Sequence, residues 1–260
     1  MKCEPLVVLC MKWGSLYPAS YVNVLHSACR ANLQQDFRFV CLANDTEGYE
    51  EGIEVFPIPD LGYQAEHWAS GAWPKLSVFV DDLYGLRGRA LFIDLDSVVL
   101  DDLAPFFEVP GDFVSIGGGV DWRRGNPNPN PTLASGVFSF TLGSQPQIAA
   151  NFREDPMGAF HEFKLEQRFI EAHVSSWKPW AAEWVISFKR HLRRPVLVDR
   201  ILPPRLPDDG TKIVAFHGDP RPIDVVRSDR SSWARFPRYG RGAISWVRKY
   251  WLDNGYRDPI

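Results

Sequence analysis

The chain has 260 residues, 45% hydrophobic and 23% charged, with a formal net charge of −3. That length suits one large domain with a substantial core, and without a basic excess nucleic acid is excluded as a general partner. Aromatic content is the unusual feature: 10 Trp and 17 Phe could serve sugar platforms or lipid-facing surfaces, although core packing is the first reading for most of them.

Taken in order, Leu6–Met11 reads as a buried strand. Glu4 and Lys12 bracket it too closely for a signal peptide, and no run reaches membrane-spanning length, so a soluble, cytoplasmic chain is expected. None of the four cysteines (Cys3, Cys10, Cys29 and Cys41) pairs at Cys-x-x-Cys spacing, so reduced, buried thiols are expected. Pro18 suits the first turn of a helix in which Tyr21, Val24, Leu25 and Ala28 recur at helical spacing to near Asn32. Phe37–Leu42 and Ile53–Ile58 read as further strands. This alternation argues for α/β architecture, and the single glycine after the first strand, Gly14, argues against a dinucleotide-binding fingerprint.

Trp73–Tyr84 reads as an amphipathic helix with Leu76, Phe79, Val80 and Leu83 on one face and Pro74 near its start. Lys75 lies in its first turn; from the residues alone a solvated lysine is preferred over one facing an anionic ligand. The organising stretch is Arg89–Asp102. Four apolar residues, Ala90–Ile93, deliver Asp94 and Asp96 with Leu95 between them. In extended backbone both carboxylates share a face and Leu95 turns to the core. Acid at the carboxyl end of a strand, where open α/β sheets keep their ligands, points to a hard divalent cation bridging to a phosphate; a solvated acidic turn is the alternative.

Asp101-Asp102-Leu103 then starts a helical turn and Phe113–Ile116 a strand. Asn126–Pro131, with alternating proline and asparagine, reads as an exposed, mobile loop, either an acceptor-side lid or a plain excursion. Ala134–Thr141 returns to strand and Gln145–Phe152 to helix, followed by a helical stretch over Lys164–Ala172 carrying Glu166 and Gln167. Val185–Phe188 and Ile213–Phe216 are strand-like, with the proline-rich connector Leu202–Pro207 between them. The last strand ends in His217-Gly218, where an imidazole is either a neutral metal ligand or simply hydrogen-bonded.

The ordered set Trp-Pro-Lys-Leu (Trp73–Leu76), Phe-Ile-Asp-Leu-Asp (Phe92–Asp96), Ser-Gly-Val (Ser135–Val137), Glu-Gln (Glu166–Gln167) and Phe-His-Gly-x-Pro-Arg-Pro (Phe216–Pro222) resembles the GT-A nucleotide-sugar glycosyltransferases. The likeness is particularly to the glycogenin-like and bacterial lipopolysaccharide galactosyltransferase group. The resemblance implies a GT-A domain over residues 1–222, with a mixed, mainly parallel sheet flanked by helices. It implies a metal-dependent transfer of a sugar from a nucleoside-diphosphate donor, UDP-sugar favoured, with retention of configuration. Under it Asp94, Asp96 and His217 would hold Mn²⁺ or Mg²⁺. Tyr17 would lie near the base, and Lys75, Leu95 and Arg221 would contact the donor. Glu166 and Gln167 would lie near the reacting carbon. The acceptor would be a glycan, a lipid-linked glycan or a protein.

Two other functions compete. In a haloacid-dehalogenase-like phosphatase Asp94 would be the nucleophile and Gly218-Asp219 would imitate a later motif; a nucleotide-sugar-binding protein without turnover would keep the same residues. Residues 223–260 read as a basic and aromatic helical appendage packed on the same domain. Arg235, Arg238, Arg241 and Arg248 among Trp233, Phe236 and Trp246 also suit peripheral contact with an anionic membrane at its inner face, but the packed helix is preferred.

Overall fold

The computed structural model describes residues 4–63, 71–227, 232–234 and 236–257. Its strands are Leu6–Lys12 (β1), Phe37–Ala43 (β2), Ile53–Pro57 (β3), Arg89–Ile93 (β4), Ser97–Val99 (β5), Phe113–Gly118 (β6), Thr132–Thr141 (β7), Lys178–Pro179 (β8), Val185–Ser187 (β9) and Ile213–Ala215 (β10). Seven form the main sheet in the order β3-β2-β1-β4-β7-β6-β8. β3, β2, β1 and β4 run parallel; β7 is antiparallel to both β4 and β6, and β8 is parallel to β6. This is the mixed, mainly parallel sheet that the resemblance implied. β1 and β4 are continuous apolar runs because both faces of the sheet are covered.

The α-helices are Ala19–Asn32 (α1), Ala104–Glu108 (α2), Pro146–Glu154 (α3), Pro156–Phe163 (α4), Glu166–His173 (α5) and Ser245–Asp253 (α6). One core cluster packs Tyr21, Val22 and Leu25 of α1 and Val247 and Trp251 of α6 against Val8, Cys10 and Leu91. A second packs Trp73, Leu76 and Phe79 with Phe152 of α3 and Phe169 of α5 against Leu9, Phe92 and Phe138. Trp73, Phe152, Phe160 and Phe169 meet ring to ring, so the aromatic surplus in this layer is core. α4 had no counterpart in the sequence reading; Asp155 caps it by accepting from the Gly158 N–H at 2.8 Å.

Several expectations change. Trp73–Tyr84 is not an amphipathic α-helix: a 3-10 turn covers Trp73–Phe79, all seven residues are buried, and Val80 leaves the helix in extended backbone. With no solvent-facing side there is no helical polar–apolar period, and bonds spaced three residues apart, such as Val80 N–H to the Ser77 carbonyl, fit the short buried segment. The acidic stretch is likewise not one strand. The chain turns at Asp94–Asp96, and β5 leaves for a second sheet of order β5-β10-β9.

Asn126–Pro131 has exposed residues but is tied down at Asn126, whose Nδ2 donates to Asp121 Oδ1 at 2.8 Å, and at Asn128, whose Nδ2 donates to the Gly117 and Gly118 carbonyls at 2.6 and 3.2 Å. Cys10, Cys29 and Cys41 are free and buried as expected, while Cys3 lies outside the described residues. In the C-terminal region the helix begins only at Ser245; Trp251 packs its ring on Tyr21 at 4.6 Å, and Arg235 lies outside the described residues. No helix among the described residues is long and apolar enough to cross a membrane.

Candidate functional site

The site forms where the two sheets meet. β4 ends at Ile93, the Asp94 N–H donates to the Gly136 carbonyl at 2.9 Å, and the Ser97 N–H donates back to the Asp94 carbonyl at 3.1 Å. The Phe216 N–H donates to the Asp96 carbonyl at 2.9 Å, which fixes the end of β10, and so His217, beside the acidic turn. Leu95 is buried in the core while Asp94 and Asp96 stay half-buried. The alternation expected of a strand is thus achieved by a turn. Leu95 therefore has its side chain in the core, and any ligand contact from it would be through the backbone.

Lys75 departs most from its sequence reading: it is not solvated but 1% exposed. Its Nζ lies 2.8 Å from Asp94 Oδ2, 3.0 Å from the Ser135 carbonyl and 3.8 Å from Glu166 Oε1. Ser135 Oγ donates to Glu166 Oε1 at 2.7 Å, closing a network that joins the 3-10 turn, the acidic turn, β7 and the start of α5. Burial works against the Lys75 charge, but Asp94 and then Glu166 outweigh it and hold the ammonium pKa above its ordinary value. Burial pushes Asp94 up to about 7, against the pull of Lys75 and with the help of the Asp96 charge. Asp96 is also raised, by burial first, with Lys75 and Tyr17 opposing.

Tyr17 reaches this cluster through its hydroxyl, 3.4 Å from Asp96 Oδ2, and its ring meets Tyr21 edge-on at 4.9 Å. The Tyr21 hydroxyl in turn accepts from the Ile223 N–H at 3.4 Å, bringing the Arg221–Asp224 segment alongside. Arg221 is half-buried, its backbone N–H donating to Asp224 Oδ2 at 2.8 Å and its Nε 3.5 Å from the same oxygen. Gln167 is half-buried in the first turn of α5, directly after the buried Glu166.

His217 Nε2 lies 2.6 Å from Ser187 Oγ, and its ring stands 5.7 Å from that of Trp122. Burial, reinforced by the Lys189 and Arg190 charges, lowers its pKa to about 4, so it is a neutral imidazole at ordinary pH. Lys189 escaped the sequence reading altogether. Burial lowers its pKa while the Asp219 and Asp96 charges pull the other way, so its ammonium lies within electrostatic reach of the acidic turn. Nothing in the pattern around Lys189 signals this, because β9 and β10 bring it into place across the fold. Ser135 was legible as part of the Ser-Gly-Val segment, but its bond to Glu166 was not.

Gly218 turns the chain after His217 with φ +71°, and a Cβ there would stand 3.2 Å from Lys189 Nζ. Gly218→Ala is therefore expected to cost about 1–2 kcal/mol, from the left-handed backbone alone. A chemical denaturation curve for the variant that overlays the wild type would contradict this.

Two carboxylates on one turn, each raised by burial, suit a hard divalent cation whose charge would relieve both. A neutral His217 is in the right state to ligate, although its Nε2 is engaged with Ser187. Among the described residues no three His, Cys, Asp or Glu side chains converge as a ready cation site. Asp94 and Asp96 are the carboxylates a cation would use, with Asp94 Oδ2 held by Lys75 at 2.8 Å, and the His217 side chain does not complete the set in this conformation.

No protein-family model and no curated protein matches this sequence. By structure the chain is similar to the bifunctional glycosyltransferase WbbM, with a TM-score of 0.60 and 13% identity over 98% of this chain and 50% of that one. It is similar to the galactosyltransferase LgtC, solved with donor and acceptor sugar analogs, with a TM-score of 0.57 and 12% identity over 97% of this chain and 98% of that one. It is also similar to the glycosyltransferase GlyE of Streptococcus pneumoniae TIGR4, with a TM-score of 0.57 and 14% identity over 98% of this chain and 61% of that one. The chain thus spans about half of WbbM and nearly all of LgtC. The fold is the GT-A fold of these glycosyltransferases.

Proposed function

We propose that this protein is a cytoplasmic glycosyltransferase that moves a sugar, with retention, from a nucleoside-diphosphate donor, UDP-sugar favoured, to a carbohydrate-bearing acceptor. The observation that carries this reading is the Asp94–Asp96 turn at the end of β4, at the junction of the two sheets of a GT-A fold. The same fold favours transfer over the phosphatase alternative, and Lys75, held by both Asp94 and Glu166, favours a working site over a binding protein without turnover.

Asp94 and Asp96 would hold Mn²⁺ or Mg²⁺. That cation, when bound, would neutralise charge growing on the diphosphate as the glycosidic bond breaks. Lys189, facing Asp96 and Asp219, and Arg221 supply positive charge for the same leaving group. Tyr17, its ring packed on Tyr21, offers a face to the base. Ser135 and Lys75 fix the Glu166 carboxylate at the start of α5, where it and Gln167 would orient the donor sugar. A cavity of about 320 Å³, walled by Trp122 and by Asn126, Pro127, Asn128 and Pro131, would take the acceptor. Its Trp122 also packs against His217, so cavity and site share a wall.

Calorimetric titration of UDP and of GDP, each with and without Mn²⁺, tests the reading. Mn²⁺-dependent binding of one nucleotide is expected; no binding under any condition would overturn it. A pH dependence follows as well. With the Asp94 pKa raised to about 7, a proton competes with the cation, so Mn²⁺ affinity should rise with pH from 5.5 to 8. The raised Asp96 adds to this competition in the same direction. The His217 pKa of about 4 leaves that imidazole neutral throughout and without part in the slope. A flat Mn²⁺ titration across this range would show that Asp94 is already ionised at pH 5.5.

A further inference from the structure

A second cavity, of about 680 Å³, is lined by residues 193–206 on one wall and 233–246 on the other, a residue set that shares nothing with the acidic turn. Its charge is one-sided: Arg193, Arg194, Arg200 and Arg241 line it against the single carboxylate of Asp199. Two of the guanidinium groups are pre-organised on aromatic rings, Arg193 at 5.1 Å from the Trp233 centroid and Arg200 at 4.0 Å from that of Tyr239.

The ion pair at the floor is buried and incompletely satisfied. Arg193 and Asp199 side chains are 8% and 5% exposed and meet at 3.2 Å. Yet Arg193 Nε, Asp199 Oδ1 and Trp246 Nε1, all on lining residues, are buried with no hydrogen-bond partner among the described residues. Such orphaned groups cost about 1–3 kcal/mol each unless a ligand or water meets them. Burial, then the Arg238 charge, depresses the Arg193 pKa despite Asp199. Ile244, Ser245 and Trp246 bring the N-terminus of α6 to the same wall, and the first backbone N–H groups of a helix have no intrahelical acceptor.

The excess of guanidinium charge at Arg194, Arg200 and Arg241, beside the open N–H groups that start α6, calls for an anion. We propose that this cavity binds a phosphate ester, either a soluble sugar phosphate or the head group of a lipid. The second source is kept because Ile201 and Leu206 on the lining are 84% and 66% exposed, a surface suited to an alkyl chain. The tight chain crossing at Gly240, where a Cβ would meet the Trp233 ring at 2.3 Å, holds the aromatic wall in place.

Calorimetry on the full chain with glucose 6-phosphate, glucose, inorganic phosphate and dihexanoyl phosphatidylglycerol below its micelle concentration tests this. At least one of the two esters should bind tenfold or more tighter than both glucose and inorganic phosphate. Preference for the lipid would identify a lipid-linked ligand, and preference for glucose 6-phosphate a soluble one. The double substitution Arg200→Gln/Arg241→Gln, at two exposed positions, should weaken binding at least tenfold, whereas Asp96→Ala should change it less than twofold. Failure of both esters to bind, binding no tighter than that of inorganic phosphate, or a loss in Asp96→Ala equal to that in the arginine variant would each overturn the proposal. None of these outcomes bears on UDP or GDP binding at the acidic turn.

Discussion

Asp96→Ala is expected to lower Mn²⁺-dependent nucleotide affinity at least 100-fold while leaving the fold intact. Asp96 is half-buried on a turn whose geometry is set by backbone bonds, from the Phe216 N–H to the Asp96 carbonyl and from the Ser97 N–H to the Asp94 carbonyl. The side chain itself accepts from the Tyr17 hydroxyl at 3.4 Å. Removing it therefore deletes one of two charges available to a cation without dismantling the turn. Losing half of a two-carboxylate set costs more than the roughly 10–100-fold typical of residues that merely support metal ligands. Calorimetry with and without Mn²⁺, beside a melting curve for the same variant, separates the two effects. An affinity within threefold of wild type at an unchanged melting temperature would remove Asp96 from the cation site.

Lys75→Met should be the most destabilising single change in the site, by about 3–5 kcal/mol. The ammonium is 1% exposed and stands 2.8 Å from Asp94 and 3.8 Å from Glu166. Methionine approximates its volume, so the cost is electrostatic: Asp94 and Glu166 lose their counter-charge, and Asp94, already raised to about 7 beside Lys75, must take up a proton at neutral pH. At about 2–4 °C per kcal/mol for a domain of this size, the melting temperature should fall by on the order of 10 °C. Adding Asp94→Asn removes one of the stranded charges, so the double variant should melt higher than Lys75→Met alone. Mn²⁺ should raise the melting temperature of Lys75→Met more than that of wild type, because a bound cation replaces the missing charge beside Asp94. An unchanged melting temperature in Lys75→Met would show that the buried pair contributes nothing net.

The mainly parallel sheet was legible because buried strands such as Leu6–Met11 and Ala90–Ile93 are apolar on both faces, and that run survives any change of neighbour. Asp94, Leu95 and Asp96 were legible for a related reason. Leu95 belongs to the core and the acids do not, so the alternation persists although the backbone turns where a strand was expected. The 3-10 turn over Trp73–Phe79 was misread because burial on every side erases the period that distinguishes one helix type, or one helix face, from another.

Sequence by itself determined the fold class, the pair of carboxylates directly after a buried strand, and the order of the segments that would build the site. Those properties follow from local hydrophobicity and from residues adjacent in the chain. Tertiary structure alone decided that Lys75 is a buried ion-pair partner of Asp94, that Ser135 positions Glu166, that Lys189 faces Asp96, and that four arginines share a cavity remote in sequence from the acidic turn. Each of these is a contact between segments tens of residues apart. The charge state and worth of such a group are set by desolvation and by the partner that burial supplies, neither of which a single segment carries.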